Sequence, residues 1–126
     1  MSPLTINRQI TVKVRVTEAF RKAMAAQIQE AIKKLERETA YLETQAKRVG
    51  NNPEVARSLG EEIQARSEKR ARLTEELKEL ARLEPGAEVV QGSVNGPVEV
   101  RIGDDWARLM AAEIVLEDGR VVAIRE

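Results

Sequence analysis

The chain contains no cysteine and no histidine. The first absence removes disulfides, thiol nucleophiles and thiolate metal sites. The second removes the side chain most often used as a general base near neutral pH and as a transition-metal ligand. Phe20, Tyr41 and Trp106 are the whole aromatic set, too few to build a stacking platform for single-stranded nucleic acid. An excess of either charge is also missing: 21 Lys plus Arg stand against 21 Asp plus Glu in 126 residues. General polyanion binders carry a basic excess, so DNA is not an expected partner. No apolar run is long enough to cross a bilayer, and MSPLTINRQITVKV lacks the basic start and apolar block of a signal peptide. The expected setting is the cytoplasm, without membrane contact. Asp, Glu, Lys, Ser and Tyr remain available for chemistry, but no motif marks them, so neither an enzyme nor a cofactor is expected.

What is present is periodic. In ITVKVRVT, Ile10, Val12, Val14 and Val16 alternate with Thr11, Lys13 and Arg15, the period-two pattern of a strand with one apolar face. Such a strand needs partners, which places a first strand over 5–17 in a sheet with later segments. Thr17 is suited to cap a helix that Glu18 begins. From there Ile28, Ile32, Leu35, Thr39, Leu42, Ala46 and Val49 are spaced alternately by four and three, a heptad seam with Phe20 and Met24 extending it backward.

Gly50 and Asn51 fit a helix stop, and Asn52-Pro53 fits a cap followed by proline in the first turn. A connection this short makes the next helix antiparallel. Its seam is Leu59, Ile63, Leu73, Leu77 and Leu80, with Arg66 and Arg70 at the two intervening positions. Those arginines are expected to lay their stems along the seam and reach water or Glu36 and Glu38 with their heads. The hairpin spans 18–83, with its turn at 50–53. Glu84-Pro85-Gly86 ends it, and the pattern over 87–126 returns to period two. Val90, Gly92, Val94 and then Val98, Val100, Ile102 suggest strands around Asn95-Gly96-Pro97, with Pro97 at a strand start or edge. EIVLE and RVVAIR flank Asp118-Gly119, a two-residue hairpin turn. The expected fold is α+β, one domain over 1–126: a long antiparallel helical hairpin projecting from a small, mainly antiparallel sheet made by the first strand and the C-terminal strands.

VEVRIGDDW followed by AEIVLEDGRVVAI resembles the end of the YlqD family, and ITVKVRVTEAFR leading into a long charged helix resembles its beginning. The resemblance runs through the whole chain in order. It brings no catalytic or ligand residue to these positions. The family's association, in some bacteria, with a gene neighbourhood concerned with ribosome maturation implies a ribosome-linked role.

Candidate sites each have a structural alternative. Asp104 and Asp105 offer oxygens to a hard cation, but a calcium loop needs more ligands, and a turn explains the pair. Trp106 suits a partner anchor or, as the favoured reading, a cover for the core. Arg66, Lys69, Arg70 and Arg72, with Arg82 beyond them, form a basic run suited to RNA phosphates, diluted by Glu68, Glu75, Glu76 and Glu79 into a solvated face. At the tip, Val49, Asn51, Asn52 and Val55 are a candidate contact, and closing the hairpin is the alternative. Some transcription factors carry carboxylates on a coiled-coil tip to help hold a metal. Here Glu54 stands alone among Lys47, Arg48 and Arg57, which disfavours that mechanism. Met24, Ile28 and Ile32, beside Ala31, make a stripe wider than one partner helix covers, a candidate homo-oligomer contact. The leading expectation is a non-enzymatic interaction and assembly module that self-associates through its hairpin, with an unidentified protein partner as a further possibility. The alternative is a ribosome- or RNA-associated factor using the basic run.

Overall fold

The computed structural model describes residues 2–126. The element order is β1 (Leu4–Arg15), α1 (Glu18–Arg48), α2 (Pro53–Arg82), β2 (Glu88–Val100), α3 (Trp106–Leu109), β3 (Glu113–Glu117) and β4 (Arg120–Arg125). Two compact units divide the chain: one of residues 2–20 with Glu84–Glu126, the other Arg21–Leu83. The α+β class holds, with a helical hairpin and a sheet drawn from both ends of the chain.

The sheet has strand order β2-β1-β3-β4. β1 pairs antiparallel with β2 from Leu4↔Val100 to Arg15↔Glu88, with a shift between Val12 and Lys13. β3 lies parallel to β1, from Thr11↔Glu113 to Val14↔Leu116, and antiparallel to β4. The sheet is therefore mixed, with two antiparallel pairings and one parallel. The parallel step follows from the chain path, because β2 occupies one side of β1 and the α3 segment carries the chain to the other.

The ladder continues past both strand ends. The Val16 amide donates to the Ala87 carbonyl at 2.7 Å and the Gly86 amide to the Val16 carbonyl at 2.8 Å. Gly86 has φ 88°, so the Pro85-Gly86 corner needs the glycine. The core of this unit is small-residue aliphatic: Val14, Val16, Ala112 and Val115 are buried. At the β3–β4 turn Asp118 and Gly119 both have positive φ, 49° and 81°, the hairpin turn that their sequence demands.

The region around Asn95-Gly96-Pro97 corrects the expected break: β2 runs through it as one strand. Backbone direction explains how Pro97 is accommodated. The Thr11 amide donates to the Ala112 carbonyl, toward β3. Along a regular antiparallel pair, hydrogen-bonding direction alternates residue by residue. Thr11, Gln9 and Asn7 thus turn away from β2, and their partners Ser93, Asn95 and Pro97 turn away from β1. Proline's missing N–H falls on the open side. Gly96 is fitted to close approach, since an added Cβ would meet Ile10 Cδ1 at 3.2 Å. Ile102, also expected in a strand, lies in the turn that follows and is exposed.

In the hairpin unit, α1 and α2 contain 31 and 30 residues, each about 45 Å long at 1.5 Å per residue. Ile28, Leu35 and Leu42 of α1 are buried, as the heptad spacing predicts. Thr17 Oγ1 accepts from the Phe20 amide at 3.0 Å, capping α1. Gly50 has φ 66°, and Asn52 Oδ1 accepts from the Val55 amide at 3.3 Å with Pro53 beginning α2. Stop and start signals therefore operate side by side at the turn.

Candidate functional site

The hairpin seam is cross-braced where its apolar character lapses. Arg66 Nε donates to Glu38 Oε2 at 2.9 Å, and Arg70 Nε to Glu36 Oε1 at 3.2 Å. Nearer the open end, an Arg21 guanidinium N–H donates to the Leu83 carbonyl. Residue numbers fall on one helix as they rise on the other, which defines the antiparallel register. The arginines at seam positions thus reach Glu38 and Glu36, the glutamates that the spacing pointed to. Lys69 and Arg72 are exposed, without an acidic group in salt-bridge distance among the described residues.

Ile28 is buried, while Met24 and Ile32 are half-buried. On α2 only Leu80 is buried; Leu59, Ile63, Leu73 and Leu77 are half-buried. At the tip, Val49 is half-buried, Asn51 is exposed, Asn52 is occupied as a cap and Val55 is 40% exposed. Tyr41, on the outer surface of α1, is also exposed.

The sheet carries a charge network that sequence reading missed. Arg125 Nη1 lies 2.6 Å from Glu88 Oε1 and 3.4 Å from Glu113 Oε2. Lys13 Nζ is 2.8 Å from Glu113, and Arg15 is 3.5 Å from Glu88. Register places Lys13, Arg15, Glu88, Glu113 and Arg125 on one face. Hydrogen bonding from Arg125, helped by Arg15 and opposed by partial burial, holds the Glu88 carboxyl down at about 2. Lys13 and then Arg125 lower Glu113, and the Arg125 guanidinium is raised in turn, chiefly by Glu88. The alternation of Lys13 and Arg15 with valines was the available signal. Pairing them across four strands requires the register.

Arg8 interrupts the apolar face of β1 and is 9% exposed. It donates to the Leu109 carbonyl at 2.6 Å and to Glu126 Oε1 at 2.9 Å, tying the α3 segment to the sheet. A cleft of about 510 Å³ lies beside it, lined by Arg8, Arg101, Arg108 and several carboxylates. The acids there serve the backbone: Asp104 Oδ2 accepts from the Arg101 amide at 2.7 Å, and Asp105 caps α3 through the Arg108 amide at 3.3 Å. Among the described residues no group of three or more carboxylates is arranged to hold a metal. Trp106 does not cover the core, contrary to expectation; it is 60% exposed. The α3 segment is anchored at its far end by Leu109 and buried Ala112, so its first residue is left in solvent.

These features define an α+β protein in which a mixed four-stranded sheet accompanies a long helical hairpin. The chain belongs to the YlqD family, whose model, described as YlqD protein, matches residues 4–125. It is 26% identical over 127 residues to the uncharacterized protein YlqD of Bacillus subtilis (strain 168), covering 98% of this chain and 99% of that relative. A crystal structure of a protein of unknown function from Synechococcus sp. WH 8102 superposes with a TM-score of 0.76 at 25% identity, covering 99% of this chain and 96% of the other. Among the described residues no helix is long and apolar enough to cross a membrane.

Proposed function

We propose that the chain is a non-enzymatic interaction and assembly module that self-associates through its helical hairpin. The observation supporting this is the incomplete cover of the seam: along α2 only Leu80 is buried, while Leu59, Ile63, Leu73 and Leu77 stay half-exposed. Two helices alone leave that apolar flank facing water, and a further pair of helices removes it. Met24 and Ile32 flank buried Ile28 and supply the matching surface on α1. The tip residues Val49, Asn51, Asn52 and Val55 offer a smaller contact for a protein partner. The cytoplasm is the compartment this reading supposes.

Sedimentation equilibrium tests it. The expected result is an oligomer whose mass falls when Met24→Glu and Ile32→Glu are combined, with helix content retained by circular dichroism. A wild-type chain that stays monomeric at high concentration sinks the reading.

An RNA- or ribosome-associated role is the second reading. Its support is Lys69 and Arg72, two exposed bases without an acidic partner among the described residues, next to Arg66 and Arg70. It requires RNA binding that weakens steeply with salt and falls when Lys69 and Arg72 are neutralised. Capture of extract components with and without nuclease separates this reading from assembly.

A further inference from the structure

β2 is an edge strand of 13 residues. Its backbone directions leave the N–H and C=O groups of Ser93 and Asn95 on the open side, where no acceptor or donor among the described residues meets them. Natural edges are protected by charge, proline, bulges or shortness. The other edge, β4, has these defences: six residues, arginine at both ends, and a register shift opposite Val115–Leu116. β2 carries Pro97 and the irregularity at Gln91, but it has no basic residue, and its only acids, Glu88 and Glu99, lie near its ends. Between them Val89 to Val98 is uncharged, with Val90 67% and Val94 49% exposed.

We propose that this edge is a second self-association site, where two copies pair their β2 strands antiparallel across a two-fold at Val94. The pairing joins two four-stranded sheets into one of eight strands. Charge and backbone chemistry select a second copy as the occupant and Val94 as the centre. In that register Ser93 faces Asn95 of the other copy, and the reverse, so the outward N–H groups of both residues find carbonyls in both copies. Gly92 faces Gly96, and Val94 faces its own equivalent. Glu88 falls opposite Val100 and Glu99 opposite Val89, so no carboxylates oppose each other. Centring on Asn95 would set Ser93 against Pro97, which has no N–H to give. Centring on Ser93 would set Asn95 itself against the irregular Gln91, which the Val94 register leaves opposite Pro97 at the margin of the contact. An isologous contact closes after two copies, unlike a β2-to-β4 contact, which would propagate. This site is independent of the hairpin contact proposed above.

Amide exchange followed residue by residue is the decisive experiment. In wild-type protein the Ser93 and Asn95 amides should become protected as concentration rises, because each gains an acceptor only in the dimer. Asn95→Pro removes one outward N–H without touching the β1 ladder, as Pro97 already does two residues on. It should abolish the concentration dependence at Ser93 and halve the sedimenting mass. The absence of native cysteine makes Val94→Cys a clean second probe. A non-hydrogen-bonded pair brings its Cα atoms to about 4.5 Å, within disulfide reach. Mild oxidation should give a covalent dimer that Asn95→Pro suppresses. The Met24→Glu/Ile32→Glu variant should keep the Ser93 protection, which separates failure of the hairpin contact from failure of this one. Ser93 and Asn95 exchange independent of concentration, or mass and cross-linking insensitive to Asn95→Pro, overturns the inference.

Discussion

In the sheet unit Arg125 bridges two carboxylates, and each carboxylate has a second base: Arg15 for Glu88 and Lys13 for Glu113. In the hairpin unit Arg66 and Arg70 hold one glutamate each. The sheet network lies over half-buried acids on a pleated face, and its carboxyls are pulled well below their ordinary range. The hairpin pairs occupy positions where a seam residue would otherwise be apolar. Shared partners on a rigid sheet couple ionisation to the fold, whereas isolated pairs on a helix surface act mainly as braces and register marks.

The largest effect that tests this contrast lies on the opposite face of the sheet. Val16 is 1% exposed and shares a face with Ile10, Val12 and Val14, so Val16→Asp should destabilise the sheet by on the order of 4 kcal/mol or more, because a charge is forced among apolar side chains. Denaturant unfolding measures it, and a loss below about 1 kcal/mol would show that the sheet core is looser than its geometry. Acid titration tests the network. Both carboxyls have folded values below the unfolded value near 4.5, so their stabilisation is complete above that pH. It is lost as pH falls from about 4.5 toward 2 for Glu88. Thermal midpoints across that window should drop more steeply for wild type than for Glu88→Gln, and parallel curves would show that Glu88 is not coupled to folding.

Smaller effects are expected in the hairpin. Gly60 lies inside α2 with nothing within 4 Å of an added Cβ. Gly60→Ala should therefore stabilise by about 1 kcal/mol, and a decrease would reveal a contact that needs the glycine. Last, a double-mutant cycle on Arg66 and Glu38 should give a coupling of about 0.5 kcal/mol. A coupling of several kcal/mol would erase the distinction between the two units.

Local chemistry made much of the fold legible. The Thr17 cap, the Gly50 stop, the Asn52-Pro53 start and the Asp118-Gly119 turn each depend on one residue's backbone or side-chain preference. The heptad spacing of Ile28, Leu35 and Leu42 identified the buried stripe of α1 because helical period translates directly into one face. Even the Arg66–Glu38 and Arg70–Glu36 braces followed once the turn set the register.

Local preference is overridden where the outcome depends on what lies across a gap. Asn95-Gly96-Pro97 looks like a break because all three residues favour turns. It forms a strand because β1 supplies a ladder on one side and Pro97's missing donor falls on the open side. Trp106 looks like core by size alone, but the anchoring of Leu109 by Arg8, 101 residues earlier in the chain, turns it outward.

The helices, their turn and the strand periodicities follow from neighbours a few residues away, and composition alone removes cysteine and histidine chemistry. Tertiary structure alone decided the parallel β1–β3 pairing, the shared ionisation of Glu88, Glu113 and Arg125, and which backbone groups β2 leaves open. Those depend on strand order and register, which are fixed by long-range burial of Val14, Val16 and Val115 rather than by any local preference.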